Sequence, residues 1–190
     1  NIGMVYDGMT MMNKRHDIVD HPQAKALVAH KGEIRFDNIG FHYGKNKGVI
    51  EDLSLHIKPG EKIGLVGRSG AGKTTLMNLL LRFYDLERGT ITIDGQDISK
   101  VTQDSLREKI GVVTQDTSLL HRTIRENIAY GHPSASDEDI ITAAKRANAW
   151  DFIEHLVDMH GNVGLDAQVG ERGVKLSGGQ RQRIAIARVF

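Results

Sequence analysis

Residues 67–75 read GRSGAGKTT, and no other stretch narrows the possible folds as much. Gly67, Gly72, Lys73 and Thr74 occupy the fixed places of the pattern G-x-x-x-x-G-K-[ST]. Each residue type answers a chemical need. Glycines let successive backbone N–H groups turn inward around phosphate oxygens, and the start of the following helix adds the positive end of its dipole. The backbone of Gly67, Arg68, Ser69, Gly70, Ala71, Gly72, Lys73, Thr74 and Thr75 therefore forms the expected cradle. The Lys73 ammonium is expected to neutralise the β- and γ-phosphates, and the Thr74 hydroxyl to ligate Mg²⁺. The setting fits as well: apolar residues 63–66 suggest a strand entering the loop, and residues 74–83 suggest a helix leaving it. A plain flexible glycine turn requires none of these.

The rest of the chain sorts around that loop. Residues 1–30 hold four methionines (Met4, Met9, Met11 and Met12) at loosely helical spacing, followed by a polar stretch around Pro22 that is expected to be a linker. In residues 31–115, EIRFDNIGFHY and VIEDLSLHI alternate as strands do, the KPGE turn leads into EKIGLVG, and TITID and IGVVTQ suggest two more strands. Strands interleaved with a helix after a glycine loop indicate an α/β nucleotide-binding core. Residues 116–190 are expected to be mostly helical. There, SDEDIITAAKRANA opens with a serine cap and early acids, and WDFIEHLVDM continues the helical pattern. The net charge of +1 gives no electrostatic basis for binding nucleic acid. With no cysteine, disulfides, Cys-ligated zinc and thiol catalysis are all excluded.

A phosphate loop leaves many activities open; a second motif narrows them. LSGGQ at 176–180, continued by RQRIAIAR, resembles the signature motif and helix of ATP-binding cassette (ABC) ATPases. Its physical content is a second anion site, because the Ser177 hydroxyl and the N–H groups of Gly178 and Gly179 stand at a helix start. Taken alone, Ser177 is also an ordinary helix N-cap. The resemblance implies that Ser177, Gly178, Gly179 and Gln180 face ATP held by a second such domain. It further implies that Tyr43 stacks on adenine, and that Gln115 contacts Mg²⁺ and the attacking water. VGERG at 169–173 resembles the X-loop of ABC exporters, in which Glu171 and Arg172 would touch the membrane domain. The fold implied is an α/β P-loop NTPase core of the ABC-ATPase type, with an antiparallel β subdomain and a helical subdomain, incomplete at its C-terminal end.

The resemblance covers residues 31–190 well. Residues 1–30 are expected to be the end of an exporter's last transmembrane helix plus linker. The family continues after the signature helix into the Walker B Asp and Glu, the D-loop and the switch histidine, and these are not found within 1–190. The nine histidines are accordingly not assigned the switch role, and Asp94, Asp116 and Glu171 are not assigned as catalytic base. The expectation is a partial ATPase domain that binds nucleotide weakly by itself and does not turn ATP over. In the parent protein it would pair head to tail with a second ATPase domain, as homodimer or heterodimer, on the cytoplasmic face of the cell membrane. Its work there would be to drive export by the transmembrane domains of the same chain. Two other readings stay open: a soluble ABC-class ATPase of DNA repair or translation, and a nucleotide-binding regulatory module without hydrolysis.

Overall fold

The computed structural model describes residues 18–44, 49–170 and 173–190. The chain divides between Ile110 and Gly111 into two compact units. In the first, β1 (Ile34–Phe41), β2 (Ile50–Ile57), β3 (Arg88–Ile93) and β4 (Gln96–Asp97) form an antiparallel sheet in the order β2-β1-β3-β4. Phe36 of β1 pairs with Leu55 on one side and Ile91 on the other. The register then slips, with Asn38 in left-handed backbone at φ 45°. The slip moves the next core residue of β1 from a two-residue to a three-residue spacing, so Phe36 and Ile39 are both buried. Helix α1 (Lys73–Leu80) packs Leu76, Leu79 and Leu80 into the same core as the inner residues of β1 and β3. Leu106 of α2 (Gln103–Glu108) completes it.

Helix α1 stops at Leu80, three residues short of the Phe83 expected from the sequence. Arg82 takes left-handed backbone (φ 51°), which no continuing helix tolerates. The Arg107 guanidinium donates to the Leu81 and Arg82 carbonyls left over at that end. Arg82 itself is buried and bonds in several directions: to Asp85 at 3.1 Å, to Asp20 at 3.6 Å, and to the carbonyls of Val19 and Val101. Residues 18–33 are thereby held along the first unit. Gln103 bonds Ile18 and Asp20, Ser105 accepts from the Leu27 N–H, and Asp94 accepts from the four N–H groups of residues 30–33. Those four donors hold the Asp94 carboxyl far below the usual carboxylate range.

The second unit is built from short helices: α3 (Ile124–Ile128), α4 (Asp137–Arg146), α5 (Trp150–Ile153) and α6 (Gly178–Ala187). Ile124, Ile140, Ala144, Ile153 and Ile184 pack together at its centre. Three of these helices open with a reciprocal capping box, Thr123 with Glu126, Ser136 with Asp139, and Ser177 with Gln180. The loop between α5 and α6 is gathered by Asp158, whose carboxylate accepts from the backbone of His160, Asn162 and Gln168 and from the Asn162 amide. Its carboxyl too lies far below the usual range.

Three sequence-based expectations need correction. EKIGLVG and IGVVTQ are not strands, because among the described residues neither segment enters a ladder. An apolar run supplies side chains but no partner, and a strand exists only where backbone N–H and C=O groups find one. Ile63, Leu65, Val66, Val112 and Val113 are accordingly exposed. The sheet that does form is wholly antiparallel. WDFIEHLVDM is helical only over Trp150–Ile153.

Candidate functional site

Residues 69–75 of the glycine loop line one cleft at the head of α1. Gly70 and Gly72 both take φ 82°, a backbone region that side chains disfavour. A Cβ on Gly72 would also stand 3.3 Å from the Val49 carbonyl oxygen. Gly72 is the N-cap of α1 and has no side chain to cap the helix. Among the described residues no side chain caps α1, which suits its first N–H groups to anionic oxygens. Lys73 Nζ donates to the carbonyls of Gly67 (2.7 Å) and Arg68 (2.9 Å), so the ammonium is folded back over the loop.

Tyr43, thirty-two residues away in sequence, lies at the same place. Its hydroxyl donates to Thr75 Oγ1 at 3.2 Å, and its ring lines one cleft with Val49 and residues 69–75. The cleft, of about 620 Å³, is roomy enough for a nucleotide. Thr75 is buried at the start of α1, so the bond ties the aromatic ring to the helix that carries Lys73 and Thr74. The donor set also suits Mg²⁺. This ion usually takes one or two protein oxygens plus phosphate oxygens and waters, and the Thr74 hydroxyl beside the loop matches that sparse demand. Among the described residues no group of three or more His, Cys, Asp or Glu could hold a metal, so no rival cage competes.

The remaining sequence-based candidates lie in the second unit or outside the described residues. Gln115 sits at an exposed bend. Ser177 is the N-cap of α6: its hydroxyl oxygen accepts from the Gln180 N–H, and the Gln180 side chain accepts from the Ser177 N–H. Capping and anion binding are compatible, because the hydroxyl accepts in the cap and keeps its own proton to donate. A Cβ on Gly179 would meet nothing within 4 Å, which leaves that turn open on its outer side. The basic residues after the motif have structural work, with Arg181, Arg183 and Arg188 donating to the carbonyls of Leu176, Asn148 and Asn127. Glu171 and Arg172 lie outside the described residues, as do residues 1–17.

Sequence reasoning missed Tyr84, whose ring stands edge-on to Tyr43. It also missed the Tyr43–Thr75 bond. Only a tyrosine four residues past the end of α1 was available as a signal, and nothing local says which way it faces.

A glycine loop at a helix start, an aromatic beside it and a capped Ser-Gly-Gly helix together define a nucleotide-binding unit of the ABC type. The family profile described as "ABC transporter" matches residues 50–190, and the chain belongs to that family. It is 61% identical over its whole length to an "uncharacterized ABC transporter ATP-binding protein" of Haemophilus influenzae, covering 31% of that protein. It is 48% identical over 95% of its length to ATP-binding cassette sub-family B member 6 of Xenopus tropicalis, covering 21% of it. Among solved structures, a bacterial Atm1-family ABC exporter with ATP bound superposes with a TM-score of 0.86 at 45% identity, over 99% of this chain and 32% of the exporter. The chain thus spans less than a third of the length of these relatives.

Proposed function

We propose that this chain is part of the ATP-binding and ATP-hydrolysing domain of an ABC exporter, working on the cytoplasmic face of a cell membrane. The observation that carries the reading is the single cleft shared by Tyr43 and the phosphate loop, since one end suits a purine ring and the other a triphosphate. The glycine loop and the first N–H groups of α1 hold the phosphates, Lys73 leaves its two carbonyl partners to neutralise them, and Tyr43 stacks on adenine. The Thr74 hydroxyl and, as the family resemblance implies, Gln115 would hold Mg²⁺, which would add further charge neutralisation. Gln115 also orients the attacking water. No acid of the described residues is assigned as the base, and the Asp94 carboxylate is already engaged by its four N–H donors.

In the full-length protein, two such domains associate head to tail. Each offers its Ser177, Gly178, Gly179 and Gln180 to the nucleotide bound by the other. ATP favours the closed pair and hydrolysis releases it, which moves the transmembrane domains carried on the same chain. Glu171 and Arg172 are proposed to meet those domains.

The test is Lys73→Ala in the full-length protein, read as Mg-dependent phosphate release and as ATP binding. Both should fall to background, because the phosphates lose their counter-charge. Phosphate release at the rate of the parent protein would sink the reading. Ser177→Ala should spare ATP binding by the isolated domain and weaken ATP-driven pairing, measured by cross-linking; undiminished pairing would remove Ser177 from the site.

A further inference from the structure

Tyr43 is about half exposed, yet it is fixed at three points. Its hydroxyl is bonded to Thr75 Oγ1. Its ring meets Phe41 at 4.8 Å between centroids and 89°, and Tyr84 at 5.0 Å and 86°, both favourable edge-to-face arrangements. Phe41 and Tyr84 touch each other as well, at 5.4 Å. Further bonds tie the end of β1 to the segment carrying Tyr84: the Glu87 N–H donates to the Gly40 carbonyl, and Glu87 meets His42 at 2.7 Å. Tyr84 does not line the nucleotide cleft; it stands behind Tyr43. An exposed tyrosine without such support samples several rotamers, and a ligand that stacks on it must halt that motion at a cost in free energy.

We infer that Tyr84 is a positioning residue for the base, holding the Tyr43 ring at the angle at which a purine stacks, with Thr75 fixing the ring's far end. The inference rests on Tyr43 being the adenine platform proposed above. It adds a residue beyond the phosphate loop and a physical link, since Thr75 lies in the first turn of α1 and Tyr84 lies four residues past its end. The helix that presents Lys73 to the phosphates therefore also sets the ring that receives the base. The Tyr84 hydroxyl makes no hydrogen bond among the described residues, so the ring alone serves and phenylalanine should replace it.

The experiment measures binding to the full-length protein by competition against a fluorescent ATP analogue, using MgATP and Mg-tripolyphosphate, the latter having phosphates but no base. Tyr84→Leu should weaken MgATP roughly three- to tenfold, the range expected for losing an aromatic pair, and leave tripolyphosphate unchanged. The KM for ATP should rise by a similar factor while kcat holds. Tyr84→Phe should bind both ligands as the parent does. Tyr43→Phe, which keeps the ring and loses the Thr75 bond, should weaken MgATP alone, by about two- to tenfold. If Tyr84→Leu weakens both ligands equally, the residue is merely structural and the inference fails. If Tyr43→Ala weakens MgATP while Tyr84→Leu does not, the platform stands and the positioning role falls. If Tyr43→Ala changes nothing, both fall together.

Discussion

The two units differ in how their helices are started, although both also use bonds between residues far apart in sequence, such as Arg188 with Asn127 in the second. In the first, decisive contacts join residues far apart in sequence: Tyr43 with Thr75, Arg82 with Val19, Asp94 with residues 30–33. In the second, three helices are started by their own neighbours: Thr123, Ser136 and Ser177 each cap the helix that follows and accept from the N–H three residues on. Helices α1, α2 and α5 have no side-chain cap bond among the described residues. At α1, which starts the phosphate site, a cap would occupy the N–H groups that a phosphate needs. Local capping secures a scaffold, whereas long-range contacts can secure a helix and leave its binding end free.

Core truncations test the contrast most strongly. Ile39→Ala in the sheet core and Ile184→Ala in the helical core each remove a side chain with no exposure. Each should destabilise by about 2–5 kcal/mol in urea unfolding. If the units fold independently, each variant should lower one transition and spare the other; a single shared transition would show that the units unfold as one.

Caps come next. Ser136→Ala should cost about 0.5–2 kcal/mol through the loss of one N-terminal acceptor, visible as a lower urea midpoint in the helical unit only. Equal loss in the sheet unit would break the comparison.

The smallest expected effect is read as a pH dependence and appears only on acidification. Asp94 in the first unit and Asp158 in the second both have carboxyls held far below the usual value of 3.8 by hydrogen-bond donors. A depressed folded pKa means stability that is fully present above the unfolded value and is lost as pH falls through the range below about 4. The melting temperature should therefore drop on acidification in that window. Asp94→Asn should flatten the drop for the sheet unit and Asp158→Asn for the helical unit; an unchanged slope in both would remove these carboxylates as its cause.

Much of this was legible in the chain itself. Strands β1, β2 and β3 follow from alternation between turn residues, and α4 follows from Ser136 and the acids after it, because both signals are local. The phosphate loop and the signature turn were legible for the same reason. The segments EKIGLVG and IGVVTQ misled, because their apolar side chains say nothing about where a hydrogen-bonding partner stands. Tyr84 and Arg82 were opaque for a related reason. Arginine is usually exposed, so its burial at position 82 could not be anticipated from neighbours.

That buried arginine has a mechanical consequence. Residues 19 and 20 are fastened by Arg82 just beyond the foot of α1, and Lys73 rides on the head of the same helix. The two ends stand about 12 Å apart along a stiff rod of eight residues. One guanidinium thus anchors both the segment at residues 19–20 and the turn that closes the helix carrying Lys73.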